Sequence, residues 1–338
     1  MRHLFCLFVF VLIGLFLARA GSVSILSPVS LAEAKEGQTL YVAGYTANQV
    51  LKVDLTTHKA ESLSLPLPPS GLAMSADGLR LYVTCAGVQS QVAVVDAAAW
   101  RVIGALPAGH TATAPVLSAD GQTLYVCNQF NNDISVFDLT VTNGLAPGRE
   151  VCRIPISREP VAADLTKDGR YLLVANFLPA GRADAEHVAA VVSVIDTATR
   201  RMVKELALPN GSGSLHDLRV SPDGRYAAVT HLLASFNRAT TKVQTGWMNA
   251  NALTLIDLGR LESFLLDEPN SQARRLCHYG EIGASFLLDE PNRGAANPWG
   301  VAWSADGKKP CCRHPAGRTD FQKTSNNHPP PEVAAAKS

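Results

Sequence analysis

The sequence predicts an all-β fold: a β-propeller of repeated four-stranded antiparallel blades, six to seven in number, with the last one incomplete. Three observations carry that expectation. A turn phrase recurs at "KEGQTLYVAG" (35–44), "SADGLRLYVTC" (75–85), "SADGQTLYVCN" (118–128), "TKDGRYLLVAN" (166–176), "SPDGRYAAVTH" (221–231) and "SADGKKPCCRH" (304–314). Its glycines stand at 37, 78, 121, 169, 224 and 307, and the first three intervals are 41, 43 and 48 residues, the period of a propeller blade. A third apolar run in each unit ends on aspartate: "VLKVD", "VAVVD", "ISVFD", "VSVID" and "LTLID", closing at Asp54, Asp96, Asp138, Asp196 and Asp257.

Each part of the unit has a physical reading. An apolar stretch runs into Asp-Gly, where glycine supplies the positive φ of a tight turn. A more β-branched and aromatic stretch then returns antiparallel. The third run ends on an aspartate that bonds its own backbone in the next turn, and a stretch such as "RVIGALP" makes the fourth strand. A linear β-solenoid needs a much shorter period, and helical repeats need a 3.6-residue periodicity that is missing here.

The ends differ from the middle. Arg2 and His3 precede an apolar run from Leu4 to Leu17, then Ala18-Arg19-Ala20 and Gly21. This is the pattern of a secretory signal peptide over residues 1–20, too short for the roughly 20 apolar residues of a membrane span. No membrane span is expected once it is removed. Residues 21–309 are assigned to the propeller. Within them "SFLLDEPN" occurs twice, at 263–270 and 285–292, so 263–284 is expected to be a local duplication that adds a loop and no blade. Residues 310–338 lose alternation and become rich in polar residues and proline, and are expected to be a disordered or aberrant tail.

Composition narrows the function. The chain is 47% hydrophobic and 17% charged with a formal net charge of +1. With no cluster of Lys and Arg, a nucleic-acid partner is not expected. Of seven cysteines, Cys6 leaves with the signal, and Cys85 and Cys127 fall in apolar strand phrases where a buried free thiol is expected.

Counting along the repeat locates the candidate site. Seven residues beyond each turn glycine stand Gly44, Cys85, Asn128, Asn176, His231 and His314; eight before stand Ser70, Thr113, Val161, His216 and Trp299. Antiparallel pairing brings both series to one rim, so His216, Asp217 and His231 are expected close together there. The same rim receives an insertion at 232–252, whose Trp247, Met248, Asn249 and Asn251 are expected contact residues. For the two histidines, metal binding, acid–base catalysis and hydrogen bonding at the propeller mouth are the three readings. The last is preferred, and no metal site is expected, His216 and His231 being the nearest to ligands.

"LYVAG", "LYVTC", "LYVCN", "LLVAN" and "AAVTH" resemble the Tyr-Val-Thr-Asn (YVTN) β-propeller repeats of exported bacterial and archaeal proteins, over roughly residues 38–309. The "LHD", "VTH" and "GWMN" phrases resemble propellers fused to, or partnered with, di-haem cytochrome c peroxidase-like domains. The resemblance implies a protein partner, which could be a separate cytochrome c-type protein. No haem cofactor is expected on this chain: "CCRH" and "LCHY" lack the Cys-x-x-Cys-His spacing. The expectation is an exported interaction module, a periplasmic or cell-surface scaffold or surface antigen presenting its long-loop rim. The alternative is a propeller enzyme, lactonase-like or peroxidase-associated, with a site at the channel mouth.

Overall fold

Every turn phrase folds as expected, and for a local reason. In a computed structural model, which describes residues 26–143, 146–236, 248–267, 276–289, 297–314 and 317–320, the glycines at 37, 78, 121, 169, 224 and 307 all have φ between +68° and +78°. In the second unit the Asp77 carboxylate accepts from the Ser75 hydroxyl and the Leu79 amide, while Ser75 Oγ accepts from the Arg80 amide. Units three to six repeat the arrangement with Asp120, Asp168, Asp223 and Asp306. The donors hold these carboxyls below the usual carboxylate range, the Ser or Thr hydroxyl contributing most. The aspartates closing the third strands also behave as read: Asp54 Oδ1 accepts from the amides of Thr56 and Thr57, and Asp96 Oδ1 from those of Ala98 and Ala99.

These hairpins build antiparallel sheets in chain order. Blade 1 holds β1 (Pro28–Glu33), β2 (Thr39–Gly44), β3 (Gln49–Asp54) and β4 (Ala60–Ser64). Blade 2 holds β5 (Pro69–Met74), β6 (Arg80–Cys85), β7 (Gln91–Asp96) and β8 (Arg101–Pro107). Blade 3 follows with β9 (Ala112–Leu117), β10 (Thr123–Asn128), β11 (Asp133–Asn143) and β12 (Ala146–Pro155). Blade 4 has β13 (Pro160–Leu165), β14 (Tyr171–Asn176), β15 (Val191–Asp196) and β16 (Arg201–Ala207). Blade 5 has β17 (Ser212–Val220), β18 (Tyr226–Ala234), β19 (Asn249–Asp257) and, as its fourth strand, β21 (Gly283–Leu287). The first strands of successive blades pack side by side, which makes them the innermost.

Between each pair of neighbouring sheets lies one apolar layer. Val83 and Val95 of blade 2 face Val50 of blade 1, and Leu106 of blade 2 meets Leu124 and Phe137 of blade 3. Ile134 and Leu172 lie between blades 3 and 4, and Leu206 and Val229 between blades 4 and 5. Each fully buried side chain of this size stabilises by about 1.5–3 kcal/mol, so the stability of the ring is spread over its seams. Cys85 and Cys127 are buried free thiols in these layers, and burial pushes the Cys85 thiol up to about 11.

Three findings correct or refine the sequence reading. Among the described residues the four-stranded blades number five, not six to seven: after blade 5 comes a three-stranded sheet of β22 (Gly300–Trp303), β23 (Pro310–His314) and β24 (Gly317–Asp320). Among the described residues the doubled segment builds no blade of its own. Residues 310–320, expected in the disordered tail, carry two of those strands. Pro310 is accommodated because it is the first residue of its strand, where the missing donor is tolerated. Residues 263–284, expected as a loop, contain the second half of helix α1 (Leu258–Asp267), strand β20 (Leu276–His278) and a one-turn helix α2 (Tyr279–Ile282). β20 extends blade 4 as a fifth strand, parallel to β16, and Leu258, Leu261 and Ile282 enter the layer between blades 4 and 5. Residues 1–20, expected as a signal peptide, and residues 321–338 lie outside the described residues, as does Trp247.

Candidate functional site

The links between second and third strands, and those from a fourth strand to the next blade, emerge at one rim; the Asp-Gly turns occupy the other. Register places both histidines at the first rim. Asp217 pairs with Thr230, so His216 and His231 sit on adjacent strands at one height, beside an irregularity between Gly213 and Asp217. The two rings nevertheless share no contact among the described residues.

His231 faces into the sheet stack and is 0% exposed. Nδ1 lies 3.2 Å from the Leu232 carbonyl and Nε2 2.8 Å from Thr254 Oγ1. The carbonyl can only accept, so the proton is on Nδ1, and Nε2 accepts from the Thr254 hydroxyl. Burial lowers the imidazole to about 4, which makes it neutral at physiological pH. The repeat explains its role. At the equivalent place in blade 3, Asn128 Nδ2 donates to Ser135 Oγ at 2.8 Å, and in blade 4 Asn176 Nδ2 donates to Ser193 Oγ at 2.9 Å. All three side chains tie the end of a second strand to a hydroxyl on the third. His231 is therefore a strap inside blade 5, with both nitrogens engaged and no face open to a substrate.

His216 is placed quite differently. Its ring lies stacked on Trp299, centroids 4.3 Å apart at 23°, and the edge of Phe177 meets it at 5.4 Å and 63°. The three aromatics come from blade 5, the approach to β22 and the end of β14, so the stack bridges three successive sheets. Burial lowers the His216 pKa, partly offset by the Asn297 side chain. His216 Nε2 and Asn297 Oδ1 are both buried without a hydrogen-bond partner. Trp299 is 56% exposed and presents its outer face to solvent.

Asp217 is a seam residue. Oδ2 accepts from the Val301 amide of β22 at 3.0 Å, Oδ1 accepts from the Leu218 amide at 2.9 Å, and Arg219 Nε stands 3.3 Å from Oδ1. Asp164 repeats the clasp one seam earlier, accepting from the Val220 amide at 2.9 Å. Burial pushes both carboxyls up, against the pull of Arg219 and of the amide donors. Asn251 also closes a link: its amide and Nδ2 donate to the Asp289 carboxylate. Asn249 opens β19 at the rim and is exposed. Among the described residues no three His, Cys, Asp or Glu side chains gather as metal ligands.

The sequence reading missed Phe177, Asn297 and Thr254. Phe177 directly follows the repeat position Asn176, and Phe130, 55% exposed against His110 on the same rim, lies two beyond Asn128. An aromatic just past the repeat asparagine was the available signal. Tyr45, Val88, Phe236 and Met248 add further exposed apolar surface on the second-to-third-strand links of this rim.

Comparison with solved structures shows the fold. Hydrazine synthase of Kuenenia stuttgartiensis is similar with a TM-score of 0.69 and 24% identity, over 87% of this chain and 76% of that one. The β-propeller domain of Cps50 (Swd1) of Myceliophteria thermophila is similar with a TM-score of 0.60 and 14% identity, over 89% and 85%. The C-terminal WD40 domain of Sif2 is similar with a TM-score of 0.57 and 12% identity, over 87% and 68%. No family model matches the chain, and neither does any curated protein. At these identities the likeness is one of β-propeller architecture.

Proposed function

We propose that the chain is an exported β-propeller interaction module whose contact face is the rim carrying Phe177, His216 and Trp299, and whose partner is a protein. One observation carries the reading: a tryptophan more than half exposed is held flat on a neutral imidazole, itself braced by a phenylalanine. Ordering an aromatic anchor before binding lowers the entropic cost of association. Exposed apolar side chains elsewhere on the same rim add apolar surface, which suits a protein partner better than a small solute. Resemblance to YVTN repeats of peroxidase-associated proteins makes a separate cytochrome c-type protein one partner to test. The apolar run from Leu4 to Leu17 supports export. Among the described residues no helix is long and apolar enough to cross a membrane. The enzymatic alternative loses its catalytic pair, because His231 is occupied inside the blade.

Site-specific photo-cross-linking in the source cells tests the proposal. A photoreactive residue at position 299 is expected to give one discrete protein adduct in the exported fraction, on a chain beginning at Gly21. The same residue at Leu79, exposed on the opposite rim, is expected to give none. Equal adducts from both positions, or none from 299, would sink the rim assignment.

A further inference from the structure

The two copies of Ser-Phe-Leu-Leu-Asp have the same sequence and two different structures. Ser263–Asp267 ends helix α1, with Phe264 and Leu265 packed against the layer between blades 4 and 5, Lys204 Nζ 4.6 Å from the Phe264 ring, and Leu266 exposed. In the second copy Ser285–Leu287 form β21 opposite Thr254–Ala252. There Ser285 Oγ bonds Thr254 Oγ1, the Leu288 amide donates to the Asn251 carbonyl at 2.8 Å, and Asp289 receives Asn251. Leu288 is buried with Val301 and Cys312 of the three-stranded sheet.

Link lengths show which copy has the ordinary position. Between third and fourth strands, blades 1, 2 and 4 use five, four and four residues: β3 ends at Asp54 and β4 begins at Ala60, β7 ends at Asp96 and β8 begins at Arg101, β15 ends at Asp196 and β16 begins at Arg201. In blade 5 the link is 25 residues, because β21 begins at Gly283. With Ser263 in the place of Ser285, Leu261 takes the place of Gly283 and the link falls to three residues, 258–260. We propose that the two copies compete for the fourth-strand place of blade 5, the copy beginning at Ser263 being able to replace the one beginning at Ser285.

The exchange reproduces the observed contacts. With Ser263 opposite Thr254, every partner of Ser285, Phe286, Leu287, Leu288 and Asp289 meets the same residue type again. Leu261 then falls where Gly283 now sits, and a Cβ on Gly283 would come within 2.3 Å of the Leu255 carbonyl. A bulge removes that clash, and blades 2 and 4 already have one at the same step, between Val94 and Val95 and between Val194 and Ile195. The cost is the packing of α1 and Ile282 between blades 4 and 5. The consequence is a change of rim: the second copy, Ser285–Asp289, would leave the sheet for the link that precedes β22. The inference stands apart from the proposed contact role.

Hydrogen exchange in β19 decides it. The Leu288 amide donates to the Asn251 carbonyl, so by alternation Leu253 and Phe286 two residues on form a hydrogen-bonded pair and the Leu253 amide depends on the fourth strand. Phe286→Pro removes a ladder donor from the second copy, and Phe264→Pro breaks the helix of the first. Each single variant is expected to leave exchange at Leu253 within about twofold of the parent, and the double variant to raise it about tenfold or more. If Phe286→Pro alone matches the double variant, or does not fold, the second copy has no substitute and the proposal falls. Deleting residues 263–284 joins Glu262 to Ser285 and reads out the same point without proline. Protection at Leu253 is expected to persist; its loss, or failure to fold, overturns the proposal.

Discussion

Asp217→Ala is expected to destabilise the protein by about 3 kcal/mol and to lower its melting temperature by roughly 5–10 °C. The variant leaves the Val301 amide without its acceptor and Arg219 without its nearest carboxylate. The seam it opens is the weakest described, because β22 belongs to a sheet of three strands and not four. Asp217→Asn keeps an acceptor for the amide, though not the charge, and is expected to lose less than half as much. Thermal unfolding of both variants checks this. Equal losses would mean that the charge on Asp217, and not the clasp on β22, carries the effect.

The second large effect concerns pH. His231 is buried and neutral with a folded value of about 4, below the ordinary value of about 6.5. As pH falls, the unfolded chain takes up the proton first. Its contribution to stability is therefore complete above pH 6.5, is lost as pH falls towards 4, and amounts to about 3 kcal/mol. Buried Asp164 and Asp217 act in the opposite direction, since raised carboxyls favour the folded state as pH falls through their folded values. A comparison of variant with parent cancels them. His231→Asn installs the side chain that blades 3 and 4 use at this place. At pH 7 it is expected to cost about 1–2 kcal/mol in lost packing. At pH 4 it is expected to be the more stable protein, by roughly 1 kcal/mol. Denaturant unfolding at the two pH values measures the crossover, and parallel curves would refute the buried neutral ring.

Much of this architecture could be read from the chain because its instructions are local. An Asp-Gly turn with a hydroxyl two residues before the aspartate specifies its own hairpin, and five such turns, with the Glu-Gly turn at 36–37, specify a propeller. Counting from the glycines also put His216 and His231 at one height, and strand register pairs their neighbours Asp217 and Thr230. Their environments were not legible. Strand alternation turns His231 inwards onto Thr254, a partner that lies after a 21-residue insertion. The neighbours of His216, Phe177 and Trp299, come from blade 4 and from the approach to β22, and repeat phasing gives their height but not which side chains turn towards one another. The blade count failed for a related reason. Whether a last unit completes depends on an outer strand that has no signature of its own. The doubled segment shows the limit most directly, since one pentapeptide is helix at 263 and strand at 285, with position alone choosing.

Nuclear magnetic resonance titration of the two imidazoles, in the parent and in Trp299→Ala, reaches the heart of this account: one histidine straps a blade together and the other belongs to the rim. The prediction is a His231 ring titrating near 4 in both proteins and a His216 ring below 6.5 that climbs towards 6.5 once the indole is gone. Two rings that titrate together, or a His231 that follows the loss of Trp299, would contradict it.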